Sequence, residues 1–438
     1  MADAAAAAPL LPRKKSAAQY TRSASHAGDE LRSFRACLRW MCVDHTDGPR
    51  SAGSWAVFLL LAVAAPTAVT LALPSSGPDD RPFDAQVQVS LTLAAALAYL
   101  SLASLLRVGL RRLLCIDRLR HDSDEVRAGY TAQLNRSFRV LACFLVPCSL
   151  ADAAYKAYWY WAAAPFRSPW WNAAACALDV ASWVYRTAVF FMICVLFRVI
   201  CYLQVLRMVG FGREFGRFAD VAVVLEHHRR IRDQLRRISH RYRQFIIFCL
   251  VLVTASQFCA LLATTRPHAR INLATAGELA LCSVSLVAGL LVCLHSAAKI
   301  THKTQAVTSV AAAWHADATI HAFDNDLEDP DPALPAATGF LAPANAYRVA
   351  SGEESDGYND DDDDDARSDD SLDDPKLVAF QVNNMSFQKR QALVTYLENN
   401  RAGITVYGFV VDRTWLHALF MIEFSLVMWL LGKTVGIS

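Results

Sequence analysis

Seven long apolar runs divide the chain, and each is long enough to cross a lipid bilayer as a helix. A transmembrane helix needs roughly 20 consecutive apolar residues, and a helix lets an isolated segment satisfy its own backbone hydrogen bonds in lipid. The runs occupy residues 55–73, 87–106, 138–160, 174–196, 245–262, 273–295 and 415–431. The helical pattern of the fourth run continues through Met208. These runs predict an all-α protein with seven transmembrane helices.

Basic residues are concentrated in alternate connections between the runs. The connections after the second and fourth runs are rich in arginine, with Arg107, Arg111, Arg112, Arg118, Arg120, Arg127 and Arg136 in one, and Arg229, Arg230, Arg232, Arg236, Arg237, Arg241 and Arg243 in the other. The opposite connections hold only Arg81, Arg167, Arg266 and Arg270. Because cytosolic loops retain Lys and Arg, the sequence predicts a cytosolic N-terminus and an extracellular C-terminus. This orientation is opposite to that of a G-protein-coupled receptor, so the helix count does not indicate that class.

The composition agrees with a membrane protein, since 54% hydrophobic and 19% charged residues depart from ordinary globular usage. The 12 cysteines include no CxxC pair, and we interpret them as small buried side chains rather than zinc ligands. The first fifty residues contain no continuous apolar core, so no secretory signal peptide is predicted. No phosphate-binding glycine loop, nucleophile elbow or metalloprotease helix is present. We therefore expect no enzymatic activity, no cofactor or metal, and no nucleic-acid partner.

Four parts of the chain are distinguished by composition. They are a cytosolic N-terminal segment at residues 1–50, the first six membrane helices with cytosolic helical extensions at 51–324, an acidic linker at 325–376, and a cytosolic anchor helix with the seventh membrane helix at 377–438. Prolines and the aspartates at 360–365 predict disorder in the linker, because such a segment cannot form an apolar core. Ser351 and Ser371 suit an acidophilic kinase, and the alternative is a merely solvated linker.

An amphipathic pattern precedes the fifth run. Leu225, Ile231, Leu235 and Ile238 follow helical spacing between charged residues, which predicts a helix that extends the fifth span into the cytosol. The basic face of this helix would suit anionic headgroups, but we favour packing against other cytosolic helices. Residues 380–400 resume an amphipathic pattern before the last run.

Ionisable residues inside the runs are the main candidates for a site. A charge in lipid costs roughly 2.5 to 3.5 kcal/mol on insertion scales, so it usually has a partner or a role. Together with nearby aromatic residues the candidates are Asp152, Tyr155, Lys156, Trp159, Asp179, Trp183, Arg186 and Glu278. One interpretation is a pocket for a small ligand that opens to the outside. The other is a set of interhelical ion pairs with an interfacial aromatic belt, and the sequence does not decide between them.

Glu423 lies near the middle of the last run and is a separate case. In an oligomer an acidic ring at this position would favour cations in a pore. The alternative is a hydrogen bond between Glu423 and a neighbouring helix.

Three segments carry a resemblance to a known family. They are FRVICYLQVLR at residues 197–207, ISHRYRQFIIFCLVLVTASQ at 238–257, and residues 380–438 with the run AGITVYGFVVDRTWLHALFMIEFSLVMWLLGKTVGIS. These segments resemble the plant gustatory-receptor-like family, formerly a plant domain of unknown function. The chain is also distantly similar to insect gustatory and odorant receptors, through seven helices, an inside N-terminus, long cytosolic helices and the stretch containing Gly408, Phe409 and Asp412.

The resemblance to the insect receptors implies a tetrameric, ligand-gated cation channel. It implies that the seventh helix lines the pore, with His417, Phe420, Glu423, Phe424 and Val427 as candidates, and that residues 229–242 and 387–397 form a cytosolic anchor. It also implies a ligand pocket near the ionisable and aromatic residues of the third, fourth and sixth helices. The Thr-Tyr and Gln-Phe pairs of the insect pore helix are replaced, at the best spacing, by Leu416-His417 and Glu423-Phe424.

The expected partners are the lipid bilayer, further copies of this or a related chain in a homo- or hetero-tetramer, and an unknown small-molecule ligand. Two other functional classes stay open: a secondary transporter of a small solute, and a non-conducting membrane scaffold. The absence of an internal repeat argues against the transporter. The sequence does not distinguish the plasma membrane from an endomembrane.

Overall fold

The computed structural model describes residues 38–39, 41, 43, 48–72, 83–108, 124–163, 165–166, 168–214, 221–265, 271, 273–328, 386–400 and 402–435. Seven helices among these residues are long and apolar enough to cross a membrane: Gly48–Leu71, Asp84–Leu106, Asn135–Ala162, Pro169–Gly212, Val221–Thr264, Thr275–Ile320 and Arg413–Val435. The predicted number of membrane helices is confirmed. The predicted orientation of the termini stays a prediction.

The first membrane helix is not a regular α-helix throughout. It begins as an α-helix at Gly48–Phe58, widens into a π-helical turn at Leu59–Ala64, and returns to α-helix at Ala65–Ala72. The N–H of Ala65 donates to the carbonyl of Leu60, five residues earlier, as a π-helix requires. The wide turn therefore separates two α-helical halves within one membrane span.

The other membrane helices are α-helical throughout, and several are far longer than a bilayer is thick. The second to sixth run over Asp84–Val108, Asp124–Ala163, Pro169–Glu214, Val221–Thr264 and Leu273–Glu328, and the seventh is Arg413–Val435. The fourth helix starts with a proline, which is suited to the first helical position because the missing N–H has no partner there in any case. An additional helix, Phe387–Asn399, lies before the seventh.

The sixth helix is longer than the sequence pattern predicts. The apolar run ends at residue 295, whereas the helix continues to Glu328, because polar residues such as Thr301, Lys303 and Thr304 are buried there by packing. The predicted boundary at residue 324 therefore falls inside a helix, and residues 325–328 of the predicted linker are helical. Most of the acidic tract, and most of residues 1–50, lie outside the described residues.

The chain divides into two compact units. The first comprises Met1–Arg207, Gln234–Thr301 and Gly403–Ser438, and it contains the apolar parts of the membrane helices. The fourth helix is the most enclosed of the seven, with 83% of its most apolar 18-residue stretch buried, whereas the third has 11%. The second helix packs through small side chains, with Ala94, Ala95 and Ala98 fully buried, as is usual where membrane helices approach closely.

The second unit comprises Met208–Asp233 and His302–Ala402. Its helix Phe387–Asn399 buries Leu393, Val394 and Leu397 on one face. The ring of His228 meets Tyr396 edge-on at 5.7 Å, so the start of the fifth helix packs against this helix within the unit. The amphipathic segment before the fifth span is therefore helical and packed against protein, which is the arrangement the sequence favoured.

A short β-hairpin connects to the seventh helix and was not predicted from the sequence. Thr405–Val406 pairs antiparallel with Phe409–Val410. The two turn residues, Tyr407 and Gly408, both have positive φ values of 49° and 92°. This is the tight turn that matches the twist of a hairpin, and glycine adopts its backbone conformation without steric cost.

Candidate functional site

A buried cluster of charged side chains joins the third, fourth and sixth helices. The Nζ atom of Lys156 lies 2.9 Å from Asp179 Oδ1, 3.3 Å from Asp152 Oδ2 and 3.4 Å from Glu278 Oε1. We call these four residues the Lys156 cluster. The side chains of Lys156, Asp152 and Asp179 are completely buried, and that of Glu278 is 5% exposed. One ammonium group therefore contacts three carboxylates from three different helices.

Helix geometry explains half of this cluster. Asp152 and Lys156 are four residues apart on the third helix and so lie on one face. That helix buries few residues, and they include Asp152, Lys156, Trp159 and Tyr160 at helical spacing. Its narrow buried face is thus the one that carries the ion pair.

The cluster lies toward one end of the helix bundle. Lys156 precedes the end of the third helix at Ala163, Asp179 follows the start of the fourth at Pro169, and Glu278 follows the start of the sixth at Leu273. In the predicted orientation this is the extracellular end.

Arg186, on the fourth helix, directs its guanidinium group to the second helix. It donates to Gln88 Oε1 at 2.6 Å, to the Gln88 carbonyl at 3.3 Å and to Thr92 Oγ1 at 3.1 Å. Its Nε atom also donates to the carbonyl of Ser182 at 3.2 Å. Arg186 and Asp179 were predicted to share a helix face, but the two side chains have different neighbours, because Asp179 contacts Lys156.

Gln88 and Thr92 were missed in the sequence as site residues. They are two polar positions four apart in the second apolar run, and this spacing places both on one helix face. That pattern is the signal that could have revealed them. It does not reveal the partner, which depends on how the helices pack.

The π-helical turn of the first helix supplies acceptors for the same region. Ser182 Oγ donates to the carbonyl of Leu61 at 2.7 Å, and Thr92 Oγ1 donates to the carbonyl of Ala62 at 3.1 Å. Both carbonyls belong to the turn Leu59–Ala64. Side-chain hydroxyls thus connect the second and fourth helices to the widened part of the first.

The three candidate aromatic residues differ in burial. Trp183 is fully buried, and its indole N–H has no hydrogen-bond partner among the described residues. Trp159 is buried and contacts Tyr160 edge-on, with 5.1 Å between ring centroids. Tyr155 is half-buried. Tyr155 therefore offers the most accessible aromatic surface of the three.

Glu423 of the seventh helix is buried in a hydrogen bond to the fifth helix. Its Oε1 atom accepts from Thr254 Oγ1 at 2.7 Å, and only 1% of the residue is exposed. Val427, Leu430 and Thr434 are buried on the same face. Of the two interpretations of Glu423, the structure places it in the interhelical hydrogen bond.

The remaining pore candidates lie on another face of the seventh helix. His417, Phe420 and Phe424 follow one another at spacings of three and four residues, and all three are exposed. The rings of Phe420 and Phe424 stack with 5.2 Å between their centroids. The five pore candidates therefore form two groups, with Glu423 and Val427 packed inward and the other three on an open face.

The arrangement is suited to binding and to coupling of helices more than to bond-making chemistry. Within the described ranges, no group of three His, Cys, Asp or Glu residues is placed to hold a metal ion. The carboxylates of the Lys156 cluster are engaged with an ammonium group, which fixes them in place. Their main physical effect is to connect three helices through buried charge.

Sequence comparison decides the family. The family described as "Protein of unknown function (DUF3537)" matches residues 29–422. The chain belongs to this family. No curated protein matches the chain in sequence.

Two solved structures similar to this DUF3537 protein come from an insect. The insect olfactory receptor OR5 from Machilis hrabei in complex with eugenol has 12% sequence identity and a TM-score of 0.50, with 92% of this chain and 98% of that chain covered. The structure of OR5 from Machilis hrabei alone has 11% identity and a TM-score of 0.49, with 92% and 99% covered. At this identity the similarity concerns the fold. The expected distant resemblance to insect chemoreceptors is confirmed at that level, and the protein is an integral, multi-pass membrane protein.

Proposed function

We propose that this protein is a ligand-gated cation channel of the chemoreceptor type. In this proposal several copies, four by analogy with the insect receptors, place their seventh helices around a central pore. The N-terminus is cytosolic, and a small molecule binds near the outer ends of the third, fourth and sixth helices. The protein is not an enzyme.

The open face of the seventh helix carries the proposal. This helix buries Glu423, Val427, Leu430 and Thr434, while His417, Phe420 and Phe424 are exposed on another face. The stacked rings of Phe420 and Phe424 would form a hydrophobic constriction, which in narrow pores stops ions by excluding water. His417, at the start of the same face, would lie in a wider, aqueous entrance.

The Lys156 cluster supports a role in gating rather than in direct ligand contact. One ammonium group holds three carboxylates together across three helices, so the cluster is better placed to couple helix movements than to bind a ligand. The half-buried Tyr155 and the neighbouring Trp159 are better suited to an aromatic ligand. Binding there would favour the open state only if the ligand has a higher affinity for that state.

The pore is tested by a variant that needs no known ligand. We expect Phe424→Ser, in purified protein reconstituted in planar bilayers, to raise the ligand-independent cation current, because a small polar side chain would weaken the hydrophobic constriction. The expected increase is at least about tenfold, which corresponds to a barrier lower by ~1.4 kcal/mol. The reversal potential under a potassium chloride gradient measures whether cations carry the current.

Ile422→Ser is the matched control for this measurement. Ile422 and Phe424 are both exposed, at 51% and 45%, but they are two residues apart and point to opposite sides of the helix. The control should leave the current at the wild-type level. If neither variant carries a current although each is a folded oligomer, the result would contradict the proposed channel.

Ligand binding is tested separately from conduction. OR5 was solved with eugenol, an aromatic compound, which makes eugenol a reasonable first probe. We expect eugenol to quench tryptophan fluorescence in the wild type and to quench it less in Trp159→Phe. Trp171→Phe is the control, because Trp171 is 70% exposed and lies outside the candidate pocket. Equal quenching in both variants would mean that eugenol does not bind next to Trp159.

A secondary transporter is the second candidate, and the buried charges of the Lys156 cluster favour it. Ionisable groups buried in a membrane bundle are typical of ion-coupled transport. Solute uptake into liposomes that stops when the cation gradient is removed, without any current in the Phe424→Ser variant, would favour transport over the channel.

A further inference from the structure

A group of arginines lies on the last two turns of the fifth helix before its apolar run. Arg236, Arg237 and Arg241 are exposed, and Arg243 is half-buried. The sequence contains no Asp or Glu between residues 234 and 277, and none of the three exposed arginines has an acidic partner among the described residues. This part of the helix therefore carries positive charge without local compensation.

The position of these arginines along the helix places them at the edge of the bilayer. The apolar run begins at Phe245, and a helix rises ~1.5 Å per residue, so Arg241 lies about 6 Å and Arg237 about 12 Å from it. The headgroup region is about 5 to 8 Å thick on each side of the hydrocarbon. Arg241 falls within this region, and the long side chain of Arg237 can reach it.

Aromatic side chains mark the same level independently. The β-hairpin is joined to this part of the fifth helix, since the Thr405 N–H donates to Ser239 Oγ at 3.1 Å and the Arg243 guanidinium lies 4.9 Å from the centre of the Tyr407 ring. The three large aromatic residues of this region are exposed, with Tyr407 at 54%, Phe409 at 69% and Trp415 at 56%. Exposed aromatic rings at the end of a membrane helix are typical of the membrane–water interface.

We propose that Arg237 and Arg241 bind the headgroup of an anionic phospholipid. The two residues are four apart on one exposed face of the helix, so both guanidinium groups can donate to one phosphate. A second copy of this chain is a poor occupant of this surface, because it would bring like charges together. The site is separate from the proposed pore and ligand pocket, and it would retain a lipid whether or not the protein conducts.

The test is lipid binding to the full chain in a neutral detergent. Energy transfer from the tryptophans to dansyl-phosphatidylserine reports binding, and dansyl-phosphatidylcholine is the neutral probe. We expect the double variant Arg237→Gln/Arg241→Gln to weaken phosphatidylserine binding about 30-fold, which corresponds to ~1 kcal/mol per arginine near the surface. Binding of phosphatidylcholine should not change.

Arg229→Gln/Arg230→Gln is the matched control. These two arginines are exposed on the same helix, and replacing them removes as much charge as the test variant does. Arg230, however, lies about 22 Å along the helix from Phe245. Arg230 is also paired with Glu226 at 3.0 Å. The control should weaken phosphatidylserine binding by less than about twofold at physiological salt, because exposed charges are screened beyond roughly 8 Å.

Three results would overturn the proposal. The first is an equal loss of affinity in the two double variants, which would indicate a diffuse charge effect. The second is displacement of dansyl-phosphatidylserine by inorganic phosphate at millimolar concentration, which would indicate a site for free anions. The third is a large gain in affinity when the six aspartates at residues 360–365 are replaced by Asn, which would make the acidic segment of the same chain the occupant of the arginines.

Discussion

The protein buries charge in its membrane bundle in two contrasting ways. In the Lys156 cluster three carboxylates surround one ammonium group, and each of the three helices involved supplies at least one charged residue. At Glu423 a single carboxylate meets a hydroxyl of the fifth helix and has no cation near it among the described contacts. The first arrangement depends on opposite charges, whereas the second needs only a donor and an acceptor.

This difference has a structural consequence. Removing one member of a charged network leaves its partners without compensation in a medium of low dielectric constant. Removing the charge from a lone hydrogen-bonded acid leaves no opposite charge uncompensated. The two sites should therefore respond very differently to substitutions that change charge and little else.

The largest effect is expected for Lys156→Met, which removes the one cation of the cluster. Three carboxylates would then face one another in the bundle, at an expected cost of about 3 to 5 kcal/mol. Thermal unfolding of the detergent-purified protein, followed by size-exclusion chromatography, measures this loss. In Lys156→Met/Asp179→Asn one of the uncompensated buried charges is also removed, so part of the stability should return; no return would mean that the charges are not the cause.

A smaller effect is expected for Arg186→Gln. This change removes the donors to Gln88 and Thr92 that join the fourth helix to the second, at an expected cost of about 1.5 to 3 kcal/mol. The same unfolding measurement applies. If Gln88→Leu in the Arg186→Gln background costs nothing further, the two side chains act as one unit; additive losses would show that they act independently.

The carboxylates of the cluster should rank by their distance from Lys156. Asp179→Asn removes the negative charge at 2.9 Å from Lys156 Nζ and Glu278→Gln the one at 3.4 Å, so the first should cost more, on the order of 1 to 2 kcal/mol. Both should cost less than Lys156→Met, because the lysine keeps two carboxylates in either variant. A greater loss in Glu278→Gln than in Asp179→Asn would contradict this ranking.

The smallest effect is expected for Glu423→Gln. The amide oxygen of Gln can accept the same hydrogen bond from Thr254, so the stability should change by less than about 0.5 kcal/mol. Thr254→Val removes the donor and should cost about 1 kcal/mol. A strong loss of stability in Glu423→Gln, together with unchanged stability in Thr254→Val, would mean that the negative charge itself has a role.

The sequence predicted the membrane helices well because each of them contains a continuous apolar run. It located the apolar part of the sixth helix only as far as residue 295, because the continuation carries polar residues whose burial depends on partners distant in sequence. The hairpin was missed because it has four strand residues and a Tyr-Gly turn, although the β-branched residues on either side of that turn were a usable signal.

The sequence predicted the members of the charged site better than their contacts. Asp152 and Lys156 could be paired from their spacing of four residues, and the structure has that contact. The contacts of Arg186 could not be predicted in this way, because they depend on the rotation of the second helix against the fourth. The same reasoning applies to Glu423, whose neighbour Thr254 is 169 residues away along the chain.

The π-helical turn in the first helix makes the length of that segment critical. A π-helical turn holds more residues per turn than an α-helical one, so deleting one residue from Leu59–Ala64 would allow regular α-helix throughout. The preceding half of the helix would then rotate by about 100° and shift by about 1.5 Å along its axis. Ser54, whose hydroxyl now lies 2.7 Å from that of Tyr99, would turn away from it, and the stacking of Phe58 on Tyr99 would be lost. A one-residue deletion in this span should thus be more harmful than a conservative substitution at any of its six positions.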